Sequence, residues 1–329
     1  MKNRFFVLLA ALALLLPVSC EPEIDCRKPP KPIEEVNGRS SEKTETEKKE
    51  PEKPEEPKEP ETPQTPEYTE DLKLMSFNIR YAATSDTGDK SWRRRKSAVC
   101  EMINTEKPAV MGTQECLSNQ KADILDGCKD YAAIGVGRDD GRNNGEMMAI
   151  FYRKDDVTIE AWGTFWLSLT PDVPSKDWDS ACKRCATWAR IKINASGKKF
   201  FYVDTHLDHK NGQAEQMAVL EEKMDELNIG HLPMFLSADF NVVEDDALFN
   251  HVQGYMCNAR KTAPETDHVK SYNSWGKAGS GSIIDIIFYS RDKIVPLKFH
   301  TVTEKYDGLD YISDHYPIYG IFAIPAAAN

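Results

Sequence analysis

From residue 72 onward, short apolar runs recur and break off in polar residues: LKLMSFN, AVMGTQE, MMAIFYR, TWARIKI, FFYVDTH, MFLSADFN, SIIDIIFYS and YPIYGIFAI. Runs of this length, rich in aromatic and β-branched side chains, predict strands. Two stretches follow the helical period instead. Apolar side chains recur at three- and four-residue steps from Ser91 to Asn104, with Ser91 placed to cap the helix, and again from Gln213 to Leu227. MMAIFYR runs into VTIEAWGTFWLSL with no helix between them, which predicts antiparallel pairing of the two rather than a uniform βαβ repeat. The pattern therefore predicts an α/β class with two packed sheets flanked by helices. Trp162, Phe165 and Trp166 are expected in the core, and the charged run from Arg93 to Lys96 reads as an exposed helix face.

The N-terminal segment breaks this pattern. Lys2 and Arg4 precede an apolar run from Phe5 to Leu16, which stops at Pro17, Val18, Ser19 and Cys20. The run is too short to span a bilayer and has the layout of a signal peptide over residues 1–19. A signal that ends directly before a cysteine resembles the lipobox of bacterial lipoproteins, which implies lipidation at Cys20. Pro17 departs from that motif, which prefers Leu there. Residues 21–70 hold 16 acidic and 9 basic residues and 10 prolines, with almost no apolar side chains. Such a segment has nothing to bury against its ordering entropy, so residues 20–69 are expected to form a disordered stalk below a catalytic domain at 70–329. The expected location is the bacterial cell envelope, lipid-anchored at the outer membrane or cell surface.

The whole chain carries a net charge of −11, and the stalk accounts for only part of it, so the domain is acidic too. Backbone-gripping nucleic-acid binders usually concentrate Lys and Arg, so a nucleic-acid substrate is not favoured. Six cysteines lie in the domain: Cys100, Cys116, Cys128, Cys182, Cys185 and Cys257. A domain of this size needs no disulfides, and the CxxC of Cys182 and Cys185 has no second pair or nearby histidines to complete a zinc site. A monomer is expected.

The chemistry is concentrated where the strands end. Asn78, Glu115, His206, Asp239, Asn241 and Asp285 fall in or at the ends of apolar runs, and Asp314 and His315 immediately precede another. Polar groups gathered at strand ends line a common cleft more readily than they sit apart in a core. Each motif alone is weak. Taken in order, FNIR, TQE, TH, DFN, IDIIF and SDHYP resemble the motif set of the endonuclease/exonuclease/phosphatase family, over about residues 71 to 325. Two departures are small. Ala238 stands where that family usually has Gly, a methyl expected to narrow the phosphate approach, and Gly112-Thr113 stand where a larger apolar residue is commoner.

The resemblance implies a four-layer α/β sandwich and a metal-dependent phosphoester hydrolase. Glu115 offers a hard oxygen ligand suited to Mg²⁺ or Mn²⁺. By resemblance Asn78 supports this metal and Asp314 approaches it. Asp239 and Asn241, two apart, point the same way if the strand geometry persists. The resemblance makes Asp239 the general base and Asn241 its hydrogen-bonding partner, with His315 donating to a phosphate oxygen while Asp285 holds its other nitrogen. It places His206 at the phosphoryl oxygens or the leaving group. Arg80, Arg184 and His209 are second-rank substrate contacts. The expected substrate is a small or lipid-linked phosphoester; a nuclease and a phospholipid-headgroup hydrolase are the enzymatic rivals, and a non-catalytic surface binder is a further one.

Overall fold

In the computed structural model, which describes residues 71–277 and 279–325, the chain forms two six-stranded sheets. The expected signal peptide, Cys20 and stalk lie outside the described residues. One sheet contains β1 (Leu72–Asn78), β2 (Val110–Cys116), β3 (Tyr131–Ile134), β4 (Met147–Arg153), β11 (Val295–Thr301) and β12 (Ile318–Ala323), in the order β11-β12-β1-β2-β4-β3. The other contains β5 (Val157–Trp166), β6 (Cys185–Ile193), β7 (Lys199–His206), β8 (Met234–Asp239), β9 (Met256–Asn258) and β10 (Asp285–Ser290), in the order β5-β6-β7-β8-β10-β9. Both are mixed: β1 runs parallel to β2 and β7 parallel to β8, and the remaining pairs are antiparallel.

Side-chain alternation builds the layers. On β1, Leu72 and Leu74 enter the core between the sheets, whereas Met75 and Phe77 face outward beneath α1 (Trp92–Glu106) and α2 (Ser118–Gly127). On the second sheet, Phe200, Tyr202 and Phe235 face inward, while Phe201, Val203 and Leu236 pack outward with Met217, Leu220 and Met224 of α3 (Gln213–Leu227). A short α4 (Ala259–Thr262) leads away from β9. The result is the expected four-layer sandwich with helices outside both sheets.

Along the inward face of each central strand the chemistry changes in steps. β1 reads Leu74, Ser76, Asn78; β7 reads Phe200, Tyr202, Asp204, His206; β8 reads Phe235, Ser237, Asp239. The sandwich is apolar at one end, polar and neutral in the middle, and ionisable at the other. The register aligns these steps across strands, pairing His206 with Asp239 and Asp239 with Asp285. Apart from Asp204, the inward ionisable groups of these three strands therefore arrive at one end together.

Several expectations change. MMAIFYR and the segment after it do not pair: β4 is flanked on both edges by β2 and β3, so the turn at 154–156 carries the chain into the other sheet, where β5 pairs only with β6. Trp162 is 45% exposed on that edge strand, while Phe165 and Trp166 are buried. Ser91 precedes α1, but its hydroxyl donates to the Gly88 carbonyl rather than capping the helix. Arg95 is not on an exposed face. It is fully buried, and its guanidinium donates to the carbonyls of Ile79, Arg80, Lys90 and Ile312, tying α1 to the loops that follow β1 and precede Ser313. Strands β3, β9 and β11 and helices α2 and α4 lacked a readable pattern. β3 and β9 are too short to establish a period, and Pro296 interrupts β11, where an edge position tolerates it.

Candidate active site

The ionisable end opens into a cavity of about 640 Å³ between the two sheets. Its floor is a chain of hydrogen bonds that crosses from one sheet to the other. Asn78, fully buried at the end of β1, donates through Nδ2 to Glu115 Oε1 at 3.2 Å and to Asp239 Oδ2 at 2.9 Å, while its Oδ1 accepts the Arg80 amide at 3.0 Å. The Tyr81 amide donates to Glu115 Oε2 at 3.0 Å. Ser313 closes the arrangement by donating to the Asn78 carbonyl at 2.7 Å, which sets Asp314 and His315 beside it.

Backbone geometry at the cleft is unusual. Arg80, Glu115 and Asn241 have φ of 55°, 60° and 53°, the left-handed region that residues with a Cβ seldom adopt. At Glu115 this coincides with an irregularity in the β2–β4 register between Thr113 and Cys116, which turns the carboxylate toward the cavity. Each such residue costs on the order of 1–3 kcal/mol, and the hydrogen bonds just described hold them in place.

On the second sheet, Asp239 Oδ1 accepts the Asn241 amide at 2.9 Å, and Asn241 Nδ2 donates to the Leu207 carbonyl at 3.0 Å and to His206 Nε2 at 2.9 Å. Two amide donations from one nitrogen make His206 Nε2 an acceptor. Its Nδ1 has no hydrogen-bond partner among the described residues. Burial first, then the nearby Arg184 and Arg138 guanidiniums, hold His206 well below the ordinary histidine range, so it is neutral. His315 is its opposite. Burial lowers its affinity for a proton, but Asp285 (Oδ2 to Nδ1 at 2.8 Å), Asp239 and Asp314 outweigh burial and raise it to about 10. Asp239 is pushed up to about 7, chiefly by burial, with His315 opposing and Asp285 reinforcing the shift.

Two carboxylate groupings are candidates for a cation. Asp239, Asp285 and His315 present ligand atoms within 4.8 Å of one another, but the Asp285–His315 hydrogen bond already engages two of them. Glu115 and Asp314 fit better. Both line the cavity, and Asp314 is raised by burial, with His315 and Arg80 opposing and Glu115 reinforcing the shift. Asn78 orients Glu115 through Nδ2, and its Oδ1 accepts a single backbone amide, which leaves a second lone pair on that oxygen.

Of the residues singled out in the sequence, Arg80, Glu115, His206, Asp239, Asn241, Asp314 and His315 line the cavity directly, while Asn78 and Asp285 support it from behind. Arg184 and His209 form part of the far wall. Arg184 is nearly fully buried, with Nε 3.4 Å from Asp208 Oδ2 and Nη2 3.3 Å from His209 Nδ1. Arg80 forms an ion pair with Asp86 at 3.0 Å. Ala238 does not narrow the cleft: alternation turns its methyl into the outer core with Leu236 and Phe288. The sequence reading missed Arg138 and Glu146, a bidentate ion pair at 2.7 and 2.8 Å on the cavity wall, and Tyr272, whose ring lies 5.0 Å from that of His315. Arg138 lies in the GRDDG stretch, where its pairing with Glu146 across the loop leaves no periodic trace. A larger cavity of about 810 Å³ beside α3 contains none of the polar groups just described, and its own donors, His251 and Tyr255, are both engaged at Glu221.

Fold and site together define a class, the α/β-sandwich phosphoester hydrolases. The chain belongs to the endonuclease/exonuclease/phosphatase family, whose sequence profile matches residues 75–315. It is similar to a mannosyl-6-phosphatase of Bacteroides thetaiotaomicron, with 33% identity and a TM-score of 0.72 over 77% of this chain and 100% of that one. A family member from Bacteroides vulgatus is also 33% identical, with a TM-score of 0.73 over 78% and 100% of the two chains. TDP2 of D. rerio, solved with a single-stranded DNA product, is 20% identical with a TM-score of 0.61 over 77% and 98% of the chains; that likeness shows the fold alone. Members of the family are phosphoester hydrolases and generally depend on a divalent metal.

Proposed function

We propose that the protein is a Mg²⁺- or Mn²⁺-dependent phosphatase or phosphodiesterase acting outside the cytoplasm on a small or lipid-linked phosphoester. The observation that carries this reading is the pairing in one cavity of a buried carboxylate with a raised proton affinity, Asp239, and a histidine held protonated, His315, whose Oδ2 and Nε2 atoms lie 3.7 Å apart. A carboxylate poised near neutrality beside an imidazolium that keeps its proton suits a base and an acidic donor. Asp239, oriented by the Asn241 amide and by Asn78, accepts a proton from the attacking water. The His315 imidazolium, fixed by Asp285, donates to a non-bridging phosphoryl oxygen and lowers the energy of the charge that builds there. Neutral His206, whose Nε2 accepts from Asn241, stands on the other side of Asp239, and its remaining N–H, on Nδ1, is the group that would serve a phosphoryl or leaving-group oxygen.

Glu115 and Asp314 would hold the divalent cation, with Asn78 keeping Glu115 in its left-handed position. Such a cation supplies Lewis-acid neutralisation of phosphate oxygens. Arg80, Arg184 and His209 contact the substrate from the wall. Among substrates, a sugar phosphomonoester is favoured by the 33% identity to a mannosyl-6-phosphatase over that protein's whole length. The acidic balance of the chain disfavours a nuclease. Anchoring through a lipid on Cys20 would hold a monomer at the cell envelope.

The test is a screen of residues 68–329 against sugar phosphates, inositol phosphates, phospholipid headgroups, nucleotides and DNA, with Mg²⁺, with Mn²⁺ and with excess chelator. Turnover of a small phosphomonoester that is abolished by chelator and restored by either metal is expected. Full activity in chelator would remove the metal assignment, and a clear preference for DNA would replace the phosphatase reading with a nuclease.

A further inference from the structure

Midway between the apolar end of the sandwich and the cleft lies a polar layer that none of the roles above uses. Asp204, fully buried on β7, accepts Gln114 Nε2 at 2.8 Å from β2 in the opposite sheet and Ser237 Oγ at 2.6 Å from β8. Gln114 Nε2 also reaches Ser76 Oγ at 3.2 Å. Tyr202, on the same strand as Asp204, bonds Ser237 at 2.7 Å and crosses the sheets a second time, where its hydroxyl accepts the Gly112 amide at 3.0 Å. Room for this layer depends on Gly112, since a Cβ there would overlap the Asp204 carboxyl and the Ser237 hydroxyl. The residue that departs from the family pattern in β2 is therefore one that the crossing requires.

Every member of the layer lies close in sequence to a cleft group. Gln114 precedes Glu115, Ser76 is two residues before Asn78, Asp204 two before His206, and Ser237 two before Asp239. In a strand, residues two apart share a face, so Ser76, Asp204 and Ser237 each sit directly beneath their cleft partner, while Gln114 adjoins Glu115 within the register irregularity that turns Glu115 toward the cavity. Glu115 and Asn78 belong to one sheet, and His206 and Asp239 to the other. Besides the Asn78–Asp239 bond at the cleft itself, the core between the sheets is held largely by non-directional apolar contacts, which tolerate sliding better than hydrogen bonds do. We propose that Asp204 is a positioning residue: by accepting from Gln114 across the sheets and from Ser237 beside it, it fixes the separation of the metal-holding half of the cleft from the half that carries the base. The inference rests on the proposed phosphoesterase reading for its activity readout, but not for its metal readout. Burial keeps the Asp204 carboxyl well above its ordinary range, against the opposing hydrogen bonds from Ser237, Gln114 and the Thr113 backbone.

The experiment compares Asp204→Leu, Asp204→Asn and Gln114→Met in three measurements: Mn²⁺ binding by calorimetry without substrate, kcat with its metal half-saturation, and thermal unfolding. Asp204→Leu removes the acceptor but keeps the volume, and is expected to weaken Mn²⁺ binding and lower kcat by about tenfold or more, as loss of a supporting hydrogen bond does at metal sites. KM should change much less. Asp204→Asn retains an acceptor at the same place and is expected to restore most of both. Gln114→Met removes the donor from the opposite sheet and should reproduce the Leu phenotype, so the inference stays testable if Asp204→Leu fails to fold. Unchanged Mn²⁺ affinity and kcat in a folded Asp204→Leu or Gln114→Met protein would overturn it. So would an Asn variant as impaired as the Leu variant. If the wild type binds Mn²⁺ but hydrolyses no phosphoester, the functional reading fails while calorimetry still decides the role of Asp204.

Discussion

The clearest handle on the cleft is Asp285→Asn. The substitution keeps the size of the side chain and an acceptor for the His315 Nδ1 proton, so the 2.8 Å contact survives in neutral form. What it removes is the nearest negative charge, the largest of the influences that raise His315 to about 10 against burial. At pH 8 the native histidine is then about 99% protonated, whereas one returned to the ordinary histidine value of ~6.5 is only ~3% protonated. If the imidazolium is the active form, kcat at pH 8 falls roughly 30-fold from protonation alone, and at pH 6 the deficit shrinks to under about twofold. Loss of Asp285 also removes a charge that raises Asp239, so the acid limb of the variant moves to lower pH, which favours the ionised base and narrows the deficit further at pH 6.

The assay is kcat for native and variant enzyme from pH 6 to 9 on the best phosphomonoester from the screen, beside an NMR titration of the His315 ring. A deficit of the same size at every pH, or a His315 titration that does not move, would refute the reasoning. Stability gives an independent check. A histidine whose proton affinity is raised on folding contributes stability that is complete below its unfolded value of ~6.5 and lost as pH climbs through the folded one. The gap in Tm between native and variant protein should therefore close as pH rises from about 6.5 toward about 10.

Asp239→Asn and His315→Ala should each lower kcat by about two orders of magnitude or more with much smaller changes in Tm, and the double variant should be less than additive; near-normal turnover in either single variant removes that residue from the chemistry. Arg95→Met should leave the carbonyls of Ile79, Lys90 and Ile312 without their side-chain donor, while that of Arg80 keeps Gln120, and destabilise the protein by about 3 kcal/mol or more, seen as a fall in Tm of roughly 6–12 °C; an unchanged Tm would mean that water replaces the guanidinium. Cys20→Ala should move the full chain from membrane to soluble fractions while the domain keeps its Tm, and unchanged membrane retention would refute lipidation at that cysteine.

The alternation of apolar and polar residues was enough to identify most of the central strands and α3, because a strand with one face on a core and one under a helix must write that period into its sequence. The polar residues that end those strands were equally legible, since an Asp or His closing an apolar run is costly unless it meets partners. Three things were decided only by tertiary structure. The partner of β5 was one, because the local pattern records that a segment is extended but not which edge remains free. The burial of Arg95 was another: a guanidinium inside a charged helical run looks solvated until the loops that offer it carbonyls fold over it. The third was the middle layer. Asp204 and Gly112 are far apart in the chain, and the sequence marks Gly112 only as a small residue where a larger one is commoner, yet they are complementary once the sheets pack, because the carboxyl occupies the space that the missing Cβ leaves. Sequence period fixes which way a residue faces, whereas the docking of two sheets fixes what it faces.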